Sequence, residues 1–125
     1  MGDKVMTFAD EKKRRRIHQL LFNTVYRRKN GRWRGDYLKK HNLLDYCGEH
    51  VWFEPRHIPE DAKLVRIHNN VTIAYNVEFI THDIFSETFN YIEKYSKHKF
   101  KHHYGTIEIF DNVCIGGGAS LRLIL

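Results

Sequence analysis

The sequence predicts a mainly β fold, a parallel β-helix built on a six-residue repeat, and three observations lead there. Apolar residues come in pairs two apart: Val51/Phe53, Val65/Ile67, Val71/Ile73, Val77/Phe79, Ile107/Ile109, Val113/Ile115 and Ala119/Leu121. Inside each run the next pair starts four residues after the last, and the third residue beyond a pair is Asn70, Asn76, Asn112 or Gly118, with His50 in the same phase after Cys47. Spacing of two puts both side chains on one face of a strand. Asn, Gly and His tolerate the positive φ of a tight corner. Short strands turning every six residues, with their apolar pairs always facing one interior, stack as coils. Alternation alone would suit an antiparallel sheet, but such a sheet would not keep one phase across separate segments.

The elements follow in chain order. Residues 7–29 read as a helix, because Thr7 and Asp10 form a capping pair, Asp10 and Glu11 suit a helix N-terminus, and Ile17, Leu20, Leu21, Thr24 and Val25 share one face. Asn30-Gly31 ends it, and a shorter helix is expected over 35–44 with Tyr37, Leu38 and Leu44 turned inward. From Cys47 the two-plus-four rhythm takes over and runs to His82, which holds the corner position of Asn70 and Asn76. Asp83 stands where the next inward apolar residue belongs, and a carboxylate cannot be buried there unpaired at tolerable cost. The chain must therefore leave the coil, and the rhythm returns only at Ile107. This divides the chain into a basic helical segment, 1–44, that caps the coils, and a coiled part, 45–125, with an excursion loop over about 83–106.

Composition narrows the class. The chain has 125 residues, 42% of them hydrophobic, which suits a single domain. It has no apolar run of about eighteen residues and no apolar core of a secretory leader near its N-terminus, so a cytoplasmic chain without a transmembrane segment is expected. Cys47 and Cys114 read as buried small hydrophobes rather than a disulfide or a metal pair. The net charge of +6 is concentrated in the first third. No nucleic-acid motif accompanies it, so a capping helix with a solvated charged face is preferred to binding of nucleic acid or an anionic membrane. His98, His102 and His103 suggest a metal, but no acidic or cysteine ligand stands at a fixed spacing, and no metal is expected.

The segments Cys47–Phe53, Ile67–Phe79, Thr81-His82-Asp83 and Ile109–Leu121 resemble the hexapeptide-repeat acyltransferases, with the maltose and galactoside O-acetyltransferase-like branch nearest in its helical N-terminus and first rung. The resemblance implies a left-handed β-helix and a homotrimer with sites shared between subunits. It implies acetyl-CoA as co-substrate, and transfer of an acetyl group to a carbohydrate hydroxyl. By position in the motif it makes His82 the general base, with Asp83 a candidate to orient the imidazole or the acceptor, or else a loop-opening residue. An imidazole, with an ordinary pKa near ~6.5, suits that task at neutral pH. The Gly-rich rung, with Gly117 and Ala119, is the expected contact for the cofactor. Family members continue past this rung with further coils that form much of the pantetheine groove, whereas this sequence closes on Ser120-Leu121-Arg122-Leu123-Ile124-Leu125. The expected protein is thus a C-terminally shortened acyltransferase. The alternative is an impaired module that serves assembly or binding.

Overall fold

The structure is a computed structural model that describes residues 6–95, 99 and 101–123. Helix α1 (Phe8–Asn23) and helix α2 (Gly31–Lys40) precede strands β1 (Tyr46–Cys47) and β2 (Val51–Phe53). A 3-10 turn, Ala62–Leu64, leads into β3 (Val65–Ile67), β4 (Val71–Ile73) and β5 (Glu78–Ile80). The excursion contains a short helix α3 (Phe85–Phe89) and a 3-10 turn, Glu93–Tyr95, before β6 (Ile107–Ile109), β7 (Cys114–Ile115) and β8 (Ser120–Arg122). The strands form three small parallel sheets, ordered β1-β3-β6, β2-β4-β7 and β5-β8.

The mainly β, left-handed β-helix expected from the sequence is therefore corrected. Helices α1 and α2, 16 and 10 residues long, together outweigh eight strands of two or three residues each. The described residues show separate sheets of two or three strands and no left-handed solenoid. A six-residue rhythm places strands and corners locally. How many strands stack is decided by the number of repeats and by what interrupts them. In the third sheet the interruption is the stretch from Glu54 to Asp61, where Pro55 and Pro59 have no N–H to give a ladder.

The local consequences of the rhythm do appear. Positive φ occurs at His50, Asn70, Asn76, Asn112 and Gly118. The register sets Val51 beside Val71, Ile67 beside Ile109, Ile73 beside Ile115 and Phe79 beside Leu121. These residues share one core with Phe22, Tyr37, Leu38, Leu43 and Leu44 from the helical segment.

The helices depart from expectation in instructive ways. The capping box of Thr7 and Asp10 is present, with backbone-to-side-chain bonds of 3.1 and 3.2 Å. Yet α1 ends at Asn23, and Ile17 and Leu20 of its apolar stripe, like Val25 just beyond its end, are more than half exposed. Beside buried Phe22, polar side chains hold the helix. Arg14 donates to the carbonyls of His41 and Asn42, Arg15 to those of Ile58 and Pro59, and Gln19 to that of Arg56. Asn30 begins α2 rather than merely ending α1, because its side chain accepts the Trp33 N–H at 2.9 Å. Cys47 is half-buried, and burial pushes its thiol up to about 11. Cys114 is exposed on the outward face of β7, which corrects the expectation that both cysteines are buried.

Gly35 shows how closely α2 sits on β2. A Cβ there would lie 1.9 Å from the Val51 carbonyl oxygen, whereas at Gly116 it would meet nothing within 4 Å. Gly35→Ala should thus lower the unfolding free energy by roughly 3 kcal/mol or more, and Gly116→Ala should stay within about 0.5 kcal/mol of the parent, as read from urea denaturation.

His18 and His41 predict a pH dependence. The two rings lie 5.0 Å apart, and His18 Nδ1 is 2.5 Å from the Tyr37 hydroxyl. Burial, then the charges of His41 and Arg14, hold the His18 pKa below its ordinary value; burial, then Lys40 and Arg14, do the same to His41. An unfolded histidine takes its proton near ~6.5, before the folded ones do, so unfolding is favoured by protons in that interval. This contribution is complete above that pH and is lost as pH falls from there through the lower folded values. Between pH 7.5 and 5.5, chosen to span ~6.5, the urea midpoint should fall more in the parent than in His18→Gln/His41→Gln.

Candidate functional site

The site forms where the rhythm breaks. Thr81 is buried at the end of β5, and the next residue, His82, pairs with Tyr104 in an isolated antiparallel bridge. The Gly105 N–H donates to the Thr81 carbonyl at 2.8 Å, and the Asp83 N–H donates to the His103 carbonyl at 3.1 Å. These bonds pinch the base of the excursion shut, so His82 stands on a fixed neck although a long loop departs from it.

Asp61 meets His82 there from a different part of the chain. Its Oδ2 lies 2.7 Å from His82 Nδ1 and accepts the Thr81 hydroxyl proton, also at 2.7 Å. The Asp61 side chain is 1% exposed and the His82 side chain 27%. A carboxylate that accepts from Nδ1–H selects the imidazole tautomer whose Nε2 keeps its lone pair. The ring of Tyr104 lies 5.4 Å from that of His82, and the ring of His102 stacks at 6.5 Å. Phe8 meets Tyr104 edge-on at 6.4 Å, so the start of α1 reaches the same cluster. His102 Nε2 is 3.5 Å from a Glu87 oxygen. The arrangement is a buried carboxylate, an oriented and partly exposed imidazole, and an aromatic surround.

The residues singled out from sequence fall in different places. His82 occupies the centre of the cluster. Asp83 is buried and is not its partner: the carboxylate accepts the Phe85 N–H at 3.3 Å, so Asp83 opens the loop and its burial is hydrogen-bonded. Gly117 and Ala119 lie on the corner between β7 and β8, where the Gly118 N–H is given to the Tyr75 carbonyl and the Ala119 N–H to that of Gly116. The corner is open at Gly116 and Gly118, and two of its amides are engaged in these bonds. His98 lies outside the described residues, and among those described no group of three His, Cys, Asp or Glu could hold a metal ion.

Asp61 was not found by sequence reasoning. It lies in Pro59-Glu60-Asp61-Ala62-Lys63, where the repeat is interrupted, and no spacing relates it to His82. A groove of about 360 Å³ runs beside this stretch and touches Glu60 and Ile80, but neither Asp61 nor His82 lines it. None of the described helices is long and apolar enough to cross a membrane.

No family model, curated protein or solved structure matches this chain.

Asp61 and Asp83 make opposite predictions. In nitrogen-15 spectra of labelled histidine, Asp61→Asn should change the ring resonances and tautomer of His82. Asp83→Asn should leave them as in the parent. Equal responses would show that Asp61 does not orient the ring.

Proposed function

We propose that this protein is an acyltransferase that moves an acetyl group from acetyl-CoA to a hydroxyl, with a carbohydrate as the acceptor class and His82 as the general base. The observation that carries the reading is the bond between His82 Nδ1 and buried Asp61, which leaves Nε2 of a partly exposed imidazole outside that bond at the neck of a long loop. An alcohol is a weak nucleophile until its proton is taken during attack, and a held imidazole at such a neck can take it. Asp61 would keep the ring in the useful tautomer and offset the charge that builds on it. Thr81, sharing the same carboxylate oxygen, would hold Asp61 in line.

The resemblance of Cys47–Phe53, Ile67–Phe79, Thr81-His82-Asp83 and Ile109–Leu121 to hexapeptide-repeat acyltransferases supports the choice of donor and acceptor. Coenzyme A would supply the thioester, and in that family its groove lies between subunits of a trimer.

Thiol release from acetyl-CoA over a panel of sugars tests the proposal. The parent should turn over at least one sugar, His82→Ala should reduce the rate by about 10²–10⁴-fold, and Asp61→Asn should lower kcat more than it changes KM. If the parent and His82→Ala are equally inert and neither binds coenzyme A, the protein is instead a binding or assembly module.

A further inference from the structure

We infer that the exposed face of α1, with the turn that follows it, is a docking surface for an anionic phospholipid bilayer, the helix lying along the headgroups. Lys13, Arg16, Ile17 and Leu20 stand at i, i+3, i+4 and i+7, so they share one face. All four are exposed, Ile17 by 54% and Leu20 by 63%. Val25, Arg27 and Arg28, also exposed, follow in the turn beyond with the same mixture of aliphatic and cationic side chains. Arg14, Arg15, Gln19 and Phe22 already attach α1 to the body of the protein from its other side. Capping of the core and binding of a bilayer are therefore not alternatives for this helix.

Charge decides what covers this face. Lys13, Arg16, Arg27 and Arg28 make no ion pair or side-chain hydrogen bond among the described residues. The acids of α1 are Asp10 and Glu11, and both are engaged: Asp10 holds the capping box, where it also feels the Lys13 charge, and Glu11 pairs with Arg14. The face therefore offers unspent positive charge with aliphatic side chains between. A nucleic acid would satisfy the cations but would set Ile17 and Leu20 against phosphates. A second copy of this face would cover the aliphatic groups but bring like charges together. An anionic bilayer meets both needs, because lysine and arginine stems reach up to the phosphates while the aliphatic side chains enter the acyl boundary below. With so few aliphatic groups the attachment is reversible and depends on lipid charge.

The test is co-sedimentation of the full chain with vesicles of phosphatidylcholine, either alone or with about a third phosphatidylserine. The protein should partition to the anionic vesicles and not to the neutral ones. It should leave them as NaCl rises from about 0.01 to 0.15 M, where the screening length shortens from roughly 30 to 8 Å. Arg16→Gln should weaken binding about fivefold, the effect of one cation at such a surface. Arg122→Gln makes the same change of charge at an exposed position on β8 and should weaken binding clearly less. Leu20→Gln keeps the net charge and a good helix former at an exposed position, so it should fold as the parent does yet bind several-fold more weakly. Neutral and anionic vesicles bound alike, neither bound, Leu20→Gln equal to the parent, or equal losses in Arg16→Gln and Arg122→Gln would each overturn the inference. So would a DNA duplex held more tightly than the vesicles and untouched by Leu20→Gln, or a dimer in solution that Leu20→Gln dissolves. The readout needs no acyl transfer, so its failure is distinct from failure of the proposed reaction.

Discussion

Everything near the site depends on how the backbone between Phe53 and Pro59 is held. That stretch lies where a first strand of the third sheet would otherwise run, and its two prolines prevent a regular ladder. Its carbonyls are met by arginines. Arg34, only 7% exposed, donates to Phe53 and Glu54 and also to Lys29, while Arg15 donates to Ile58 and Pro59. Gln19 adds a reciprocal pair, accepting the Ile58 N–H and donating to the Arg56 carbonyl. A guanidinium can serve several carbonyls at once and keeps its charge when buried, although burial draws the pKa of both arginines below the ordinary value. Removing Arg34 would leave buried carbonyls unmet as well as breaking three bonds.

This polar clamp explains two features that otherwise look unrelated. It frees α1 from having to bury all of its apolar stripe, which is why Ile17 and Leu20 face outward while Arg14, Arg15 and Gln19 face the body of the protein. It also delivers Asp61 to the end of β5. Two residues beyond the clamped Pro59 carbonyl, Asp61 is buried against Thr81 and His82. The general base proposed here thus relies on a segment whose irregularity is stabilised from the N-terminal helices, and those helices do more than cover apolar surface.

Part of this was legible beforehand. The corner residues were readable because positive φ is a property of single residues in their local backbone: His50, Asn70, Asn76, Asn112 and Gly118 all adopt it. That Ile67, Ile109, Phe79 and Leu121 turn to one interior was readable because period two fixes which side chains share a face. His82 stood out because a pattern broke beside it. The direction of the α1 stripe was misread, since helical periodicity identifies a face without saying what it meets. The overall class was misread for a related reason, as a local rhythm does not count the strands that finally stack.

The sequence by itself determined where the chain turns, which side chains share a strand face, where helix α1 is capped, and that His82 ends the ordered repeat. These are matters of steric preference and hydrogen bonding within a few residues. Tertiary structure alone decided that α1 docks through arginines, that the strands form three small parallel sheets among helices, and that Asp61 rather than Asp83 holds His82. Asp61 and Asp83 are both acidic residues beside interruptions of the repeat. What separates them is the clamped path from Phe53 to Pro59, which carries one carboxylate beneath the imidazole, while the other spends its hydrogen bond on opening the loop.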